Sequence, residues 1–341
     1  MPSTIFALVD NHRAWLGIGL QRIITSWLEL ERWFYGNTAA RQIAIGYIRY
    51  DQTVYFGIFQ KLQSILLRQL TDASPFWIEP LRGESLNVYA EKIAKLKRHL
   101  AIGDIYQANY CYRFSAHTNA TANQLLYWFT QKQPTPYGAL ISTPTVQVIS
   151  NSPELGLRIT GSVIETRPMK GTQPRKKNMY RALLTSAKDK AELDMITDVA
   201  RNDLAQFAVP GSVSVKRRRQ IVGYNTIWQA QSIIQARRPK HIDSLAVIQA
   251  MIPFASVTGA PKLRAVKILK NLETHPRGLY CGAIGYIAGK NKAEFNVAIR
   301  TATLQHGQLQ YYVGGGITLD SDINQEYQET VDKAAILLAC Q

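Results

Sequence analysis

Three short apolar or β-branched runs, Thr145–Ile149, Leu155–Ile159 and Val163–Thr166, are separated only by Asn-Ser-Pro and Thr-Gly-Ser. This is the pattern of consecutive antiparallel strands joined by turns, and it commits the middle of the chain to a sheet. Two reactive side chains lie along it. Glu154 falls at a strand edge just after a turn. Lys170 sits between Pro168 and Gly171, where proline restricts the backbone and glycine lets another group approach closely. From these residues alone Lys170 reads first as an ordinary surface charge and only second as a reactive amine.

A chain of 341 residues with 46% hydrophobic content can bury a substantial core, as one large domain or two small ones. No linker, repeat or low-complexity tract divides it, and Arg237–Asp243 reads as a surface loop. The three cysteines, Cys111, Cys281 and Cys340, have no paired spacing. Neither a disulfide framework nor a zinc cluster is indicated, and a reducing cytoplasm fits. We expect no export signal and no membrane span, because no apolar run approaches the length needed. Lys plus Arg exceed Asp plus Glu by 40 to 24, a net charge of +16 that raises nucleic-acid binding as a competing idea. The basic residues are spread along the chain, however, and the densest run, Lys216–Arg219, is four long. A solvated basic face, or steering of a dianionic substrate, accounts for the surplus without nucleic acid.

Helical spacings of apolar residues predict a core-facing helix over Arg13–Phe34, an amphipathic helix over Asn87–Leu100, and further helices over Asp189–Leu204 and Asn324–Leu338. Strands are expected around Gln42–Tyr50, Thr53–Ile58 and Tyr110–Ser115, with Gly103 ending the helix before the last of these. On the two later helices, Asp189 and Glu192 share one face, as do Glu326, Glu329 and Lys333. Carboxylates paired on two helices suit a hard divalent cation such as Mg²⁺, although acids on helices are also commonly just solvated. Thr258 can cap a helix whose first turn tolerates Pro261, which favours an anion there. Alternation over Phe295–Thr303 aims Arg300 from a strand, fit to grip a carboxylate or to form a structural salt bridge. Gly314-Gly315-Gly316 offers unobstructed backbone N–H groups and is not a dinucleotide fingerprint.

Ser-Pro-Glu at 152–154 followed by Thr-Arg-Pro-Met-Lys-Gly-Thr at 166–172 resembles the signature of the chorismate-utilising enzymes, the family of anthranilate synthase component I. Further motifs resemble it in family order: Gly-Asp-x-Tyr-Gln-x-Asn at 103–109, Glu-x-x-Met-Ile-x-Asp-x-x-Arg-Asn-Asp-Leu from Glu192, and Ser-Val-Thr-Gly-Ala-Pro-Lys at 256–262. Tyr-Cys-Gly-Ala-Ile-Gly-Tyr at 280–286, Ala-Ile-Arg-Thr at 298–301, Gly-Gly-Gly-Ile at 314–317 and Glu-Tyr-Gln-Glu-Thr-x-x-Lys-Ala at 326–334 complete the set.

The resemblance implies an α+β fold of antiparallel β-sheets packed as a sandwich with surrounding helices. Residues 85–341 form the chorismate-binding part, and 1–84 a variable N-terminal part of the same domain. Lys170, where anthranilate and isochorismate synthases usually carry Ala, points to the aminodeoxychorismate synthase component I branch, which serves the p-aminobenzoate and folate pathway. Carried over by position, Lys170 is the nucleophile and Glu154 the acid. Gly171, Thr172, Ser256, Thr258, Tyr280, Arg300, Gly316 and Lys333 surround the substrate. Glu192 and Glu329 lead the Mg²⁺ ligands, with Glu326 and Asp189 as outer contributors. A catalytic amine must be unprotonated against an ordinary pKa of ~10.4, and the neighbouring Arg167 and the overall charge of +16 both push in that direction. Gln229 stands where anthranilate synthases have a His. No cysteine lies in a Gly-x-Cys-x-Gly setting, so a separate glutamine amidotransferase is implied as the ammonia source. Anthranilate synthase and isochorismate synthase remain the alternatives.

Overall fold

The computed structural model describes residues 4–10, 12–37, 42–224 and 227–338. The chain begins with β1 (Ile5–Val9), β2 (Arg13–Ile24), α1 (Trp27–Gly36), β3 (Ile43–Ile48), β4 (Val54–Leu66) and α2 (Leu86–Ala101). Next come β5 (Gln107–His117), α3 (Ala122–Lys132), β6 (Tyr137–Ser142), β7 (Gln147–Ser152), β8 (Leu155–Thr160), β9 (Val163–Thr166) and β10 (Met169–Pro174). Helices α4 (Lys177–Thr185) and α5 (Ala187–Ala205) precede β11 (Ser214–Gly223), β12 (Ile227–Arg237) and α6 (Ser244–Met251). The remainder is β13 (Gly259–Ala260), α7 (Lys262–Leu272), β14 (Ala283–Ile287), β15 (Lys292–Val297), β16 (Thr301–Gln305), β17 (Gln308–Ile317) and α8 (Ile323–Leu338).

Among the described residues every strand pairing is antiparallel. Partner to partner, the order is β13, β5, β17, β16, β7, β6, β1, β2, β4, β3, β14, β15, β8, β9, β12, with β10 beside β9 along one edge of β12 and β11 along the other. The α+β class therefore holds. Instead of separate sheets, one continuous ladder folds back on itself. Phe6, Ala139, Ile141 and Val148 of β1, β6 and β7 share a buried cluster with Ile45, Phe59 and Ile284 of β3, β4 and β14. The N-terminal strands are thus hydrogen-bonded members of the ladder that carries the rest.

The helices form where capping and apolar stripes coincide. Ser85 accepts from Val88 N–H at the start of α2, whose Tyr89, Ile93, Leu96 and Leu100 are buried. Ser186 caps α5 by accepting from Asp189 N–H, and Leu193, Ile196, Ala200 and Leu204 face the core. Gly103, at φ +76°, ends the turn after α2.

Three expectations are corrected. Arg13–Phe34 is not one helix: residues 13–24 are β2, and only Trp27–Gly36 is helical. The telling residues were Gly17 and Gly19, which weaken a helix. A Cβ at Gly17 would lie 2.6 Å from the Phe59 ring that packs over it on β4. The run Phe295–Thr303 is not one strand either, because β15 ends at Val297 and Arg300 sits at φ +51° before β16. Thr258 is not the cap of α7. Pro261 occupies that position, and the Thr258 hydroxyl donates backwards to Phe254 O and Ala255 O at 3.1 and 3.2 Å. Cys111 and Cys281 are buried free thiols, while Cys340 lies outside the described residues. No described helix is long and apolar enough to cross a membrane.

Candidate active site

Lys170 is placed by β10, where it faces Ala230 of β12 just before a register break at Gly171. Gly171 takes φ +79°, and a Cβ there would come within 3.0 Å of Asp189 and 2.9 Å of Leu183. The bulge therefore lets α5 press against the strand beside the lysine. The amine reaches across to β17: a Cβ at Gly316 would stand 2.8 Å from Lys170 Nζ and 2.3 Å from Gln107 Nε2. Among the described residues the Lys170 side chain makes no hydrogen bond and no close ion pair. The expectation that Arg167 assists it is corrected, because that guanidinium turns to Glu165, with Nη2 at 2.7 Å. The charges that act with Lys170 are the carboxylates of Glu154, Glu192 and Glu329.

Glu154 lies in the tight turn between β7 and β8 and is 3% exposed. Burial pushes its pKa from 4.5 up to about 7, against the opposing pull of Ser256, Lys170, the Met169 backbone and Arg300. Ser256 lies close enough to act on that carboxyl, yet its buried Oγ reaches no partner at hydrogen-bond geometry. The Glu154 turn is clasped to the segment before β16. Val297 N–H donates to Glu154 O at 3.1 Å, and Asn151 N–H donates to Arg300 O at 3.0 Å.

Arg300 thereby lies in the same pocket as Glu154. Burial pulls its pKa down, opposed by Tyr311, Tyr224 and Glu154, and its Nη1 is buried without a hydrogen-bond partner. An unsatisfied guanidinium N–H is costly unless an anion completes it. Tyr280 precedes β14 and stacks on Tyr312 with centroids 5.6 Å apart. Thr172 is exposed opposite Gln229. Thr258 is fully buried with its hydroxyl committed inside its own turn, so only its backbone carbonyl faces β5, accepting from Asn109 N–H at 2.8 Å.

The four acids converge from two helices. Glu326 on α8 is the deepest, accepting from Ser321 Oγ at 2.8 Å, and its Oε2 would be 3.4 Å from a Cβ at Gly315. Glu192 on α5 has a raised pKa, first from burial and then from Glu326 and Asp189, with Lys170 and Lys188 opposing. Glu329 stands at the exposed rim, where Lys333 at 2.8 Å lowers its pKa. Lys333 also donates to Gly314 O at 2.7 Å. Among the described residues no three of these acids form a ready-made cage. A loose ring with a lysine ammonium already among the carboxylates fits an ion that keeps waters and draws a ligand from its substrate.

Three residues escaped the sequence reading. Gln107 is buried in the pocket with neither amide atom hydrogen-bonded. It lies in the 103–109 motif, which otherwise acts as the expected helix end, with Asp104 binding Arg264 at 2.6 Å. Arg277 pairs with Glu273 at 2.7 Å and donates to Val257 O and Asn109 O, tying the Ser256 turn to β5. Nothing short of the fold marked it. The third, Lys188, is taken up below.

Glu154, Lys170 and Arg300 thus act on one another from three segments of the sheet, with the acids of α5 and α8 beside the lysine. The chain belongs to the chorismate binding enzyme family, which matches residues 72–339. It is 36% identical over 256 residues to aminodeoxychorismate synthase component 1 of Salmonella typhimurium, covering 73% of this chain and 56% of that protein. Identity to anthranilate synthase component 1 of Streptomyces coelicolor is 32% over 257 residues, covering 73% of this chain and 50% of that protein. The chain thus spans about half the length of these relatives. The fold superposes on the menaquinone-specific isochorismate synthase of Escherichia coli with a TM-score of 0.86 at 16% identity, covering 99% of this chain and 88% of the other.

Proposed function

We propose that this chain is the chorismate-aminating component of an aminodeoxychorismate synthase, forming 4-amino-4-deoxychorismate from chorismate and ammonia. The observation that carries the reading is the juxtaposition of Lys170, a pocket amine without a partner, with Glu154, a carboxyl that burial keeps protonated to about pH 7. Lys170 Nζ attacks ring carbon C2, the ring double bond shifts, and the C4–O bond breaks as Glu154 protonates the departing hydroxyl to water. Ammonia then forms the new bond at C4, the double bond shifts back, and the C2–N bond breaks to return the lysine. Arg300 grips the enolpyruvyl carboxylate, with Tyr280 and the Gly316 backbone beside it, and Lys333 stands near the ring carboxylate. Glu192, Glu326, Glu329 and Asp189 would hold Mg²⁺, which when bound polarises the ring carboxylate and offsets the acidic charge around Lys170.

A glutamine amidotransferase partner supplies the ammonia in this reading, free ammonium serving less well, and the buried thiols Cys111 and Cys281 suit the reducing cytoplasm. The anthranilate synthase alternative has a relative at 32% identity in its favour. Against it stand Lys170 and Gln229, whose amide titrates no proton. Incubation with chorismate, Mg²⁺ and ammonium, followed by product identification, tests the choice. Aminodeoxychorismate is expected; fluorescent anthranilate with pyruvate, or isochorismate, would reject it. Replacing Arg300 with Met removes a charged carboxylate contact of about 1.5–3 kcal/mol. KM for chorismate should then rise about 10- to 100-fold, read from steady-state kinetics, and an unchanged KM would remove Arg300 from the substrate site.

A further inference from the structure

Glu326 is the most enclosed acid of the ring, with its side chain 5% exposed, yet its counter-charge comes from a side chain that is 61% exposed: Lys188 Nζ lies 3.2 Å from Glu326 Oε1. Glu192 and Glu329 act on the same ammonium. A buried carboxylate left unpaired is costly, so some cation must stand here whenever the pocket is empty of metal. The other lysines are placed elsewhere. Lys333 is held by Glu329 and Gly314 O, and Lys170 lies against Gly316. Lys188 belongs to the first turn of α5, one residue before Asp189, and its long stem reaches the ring from the solvent side.

We propose that Lys188 is a resident counter-ion of the acid ring, occupying the ground a divalent cation takes and swinging out to solvent as that ion enters. This rests on reading the four acids as a cation site. Because the ammonium is more than half exposed, release costs little, whereas two cations on one carboxylate oxygen repel each other. Lys188 thus weakens divalent binding to the free protein. It also favours loading of the ion together with a substrate carboxylate, which adds the negative charge needed to displace it.

The test is Mn²⁺ binding to the full chain without chorismate, followed by the paramagnetic resonance of the free ion. Lys188→Met should bind Mn²⁺ about five- to tenfold more tightly than the wild type, and Lys188→Arg no more tightly. Without metal, Lys188→Met should also melt at a lower temperature than the wild type, and Mn²⁺ should raise its midpoint by the larger amount. Lys188→Gln, which removes the charge but keeps a hydrogen-bond donor, serves if the methionine variant does not fold. Equal Mn²⁺ affinity in wild type and variant overturns the role of Lys188 while leaving the acid ring as a cation site. Failure of both folded proteins to bind Mn²⁺ removes the cation site itself, and this inference with it.

Discussion

Replacing Lys170 with alanine should abolish chorismate amination, lowering kcat by about three orders of magnitude or more, while the melting temperature stays close to that of the wild type. The two halves of that expectation come from one observation. The Lys170 side chain has no hydrogen bond or close ion pair among the described residues, so truncation at this half-buried position of β10 breaks no direct contact and removes only a longer-range attraction to Glu154, Glu192 and Glu329. The missing amine, by contrast, ends the covalent route. Withholding ammonia from the wild-type enzyme should leave a substrate-derived adduct, chorismate less one water, on the proteolytic peptide that contains Lys170. Mass spectrometry reads this directly. An alanine variant that aminates at the wild-type rate would sink the mechanism whatever the product.

Glu154→Gln should cost about 10²- to 10⁴-fold in rate, the usual worth of a positioned proton donor, and its effect on stability should change with pH. The wild-type carboxyl ionises near 4.5 when unfolded and near 7 when folded. Between those values the unfolded chain gives up its proton first. The stability contributed by the protonated group is therefore complete below 4.5 and is lost as pH rises through about 7. At roughly 1.4 kcal/mol per pH unit, the loss amounts to about 3 kcal/mol as an upper bound. The glutamine variant lacks this term, so its melting temperature should gain on the wild type between pH 4.5 and 7 and hold that gain above. Activity of the wild type should fall as pH rises past about 7, because the donor is then ionised. Parallel melting curves for the two proteins from pH 4 to 8 would contradict the buried-acid assignment.

Much of the site was written in local sequence because the groups that meet there announce themselves by type. A meander of β-branched runs with Asn-Ser-Pro and Thr-Gly-Ser turns gave β8 and β9 nearly to the residue, and acids three apart gave the two helix faces of the ring. What stayed hidden depends on contacts between distant segments. The apolar residues of 13–24 have helix-like spacings, and it is pairing with β1 and β4, with the Phe59 ring over Gly17, that makes the extended form the better one. Thr258 has the chemistry of a helix cap, but its hydroxyl is drawn into the preceding turn. Arg167 is adjacent to the reactive segment in sequence, yet Glu165 claims it. Lys188 belongs to the site through an ion pair between two helices that no local pattern encodes, and Gln107, although inside the 103–109 motif, shows its place only once the strands set it beside Gly316.

The paired backbone bonds joining the Glu154 turn to the Arg300 segment have a consequence for substrate choice. In the proposed mechanism this ties the backbone of the proton donor to that of the guanidinium, so the gap between them acts as a gauge. On that reading ligands would be sorted by the distance between their leaving group and their distal acid, a side arm one bond longer or shorter missing one end whenever it meets the other.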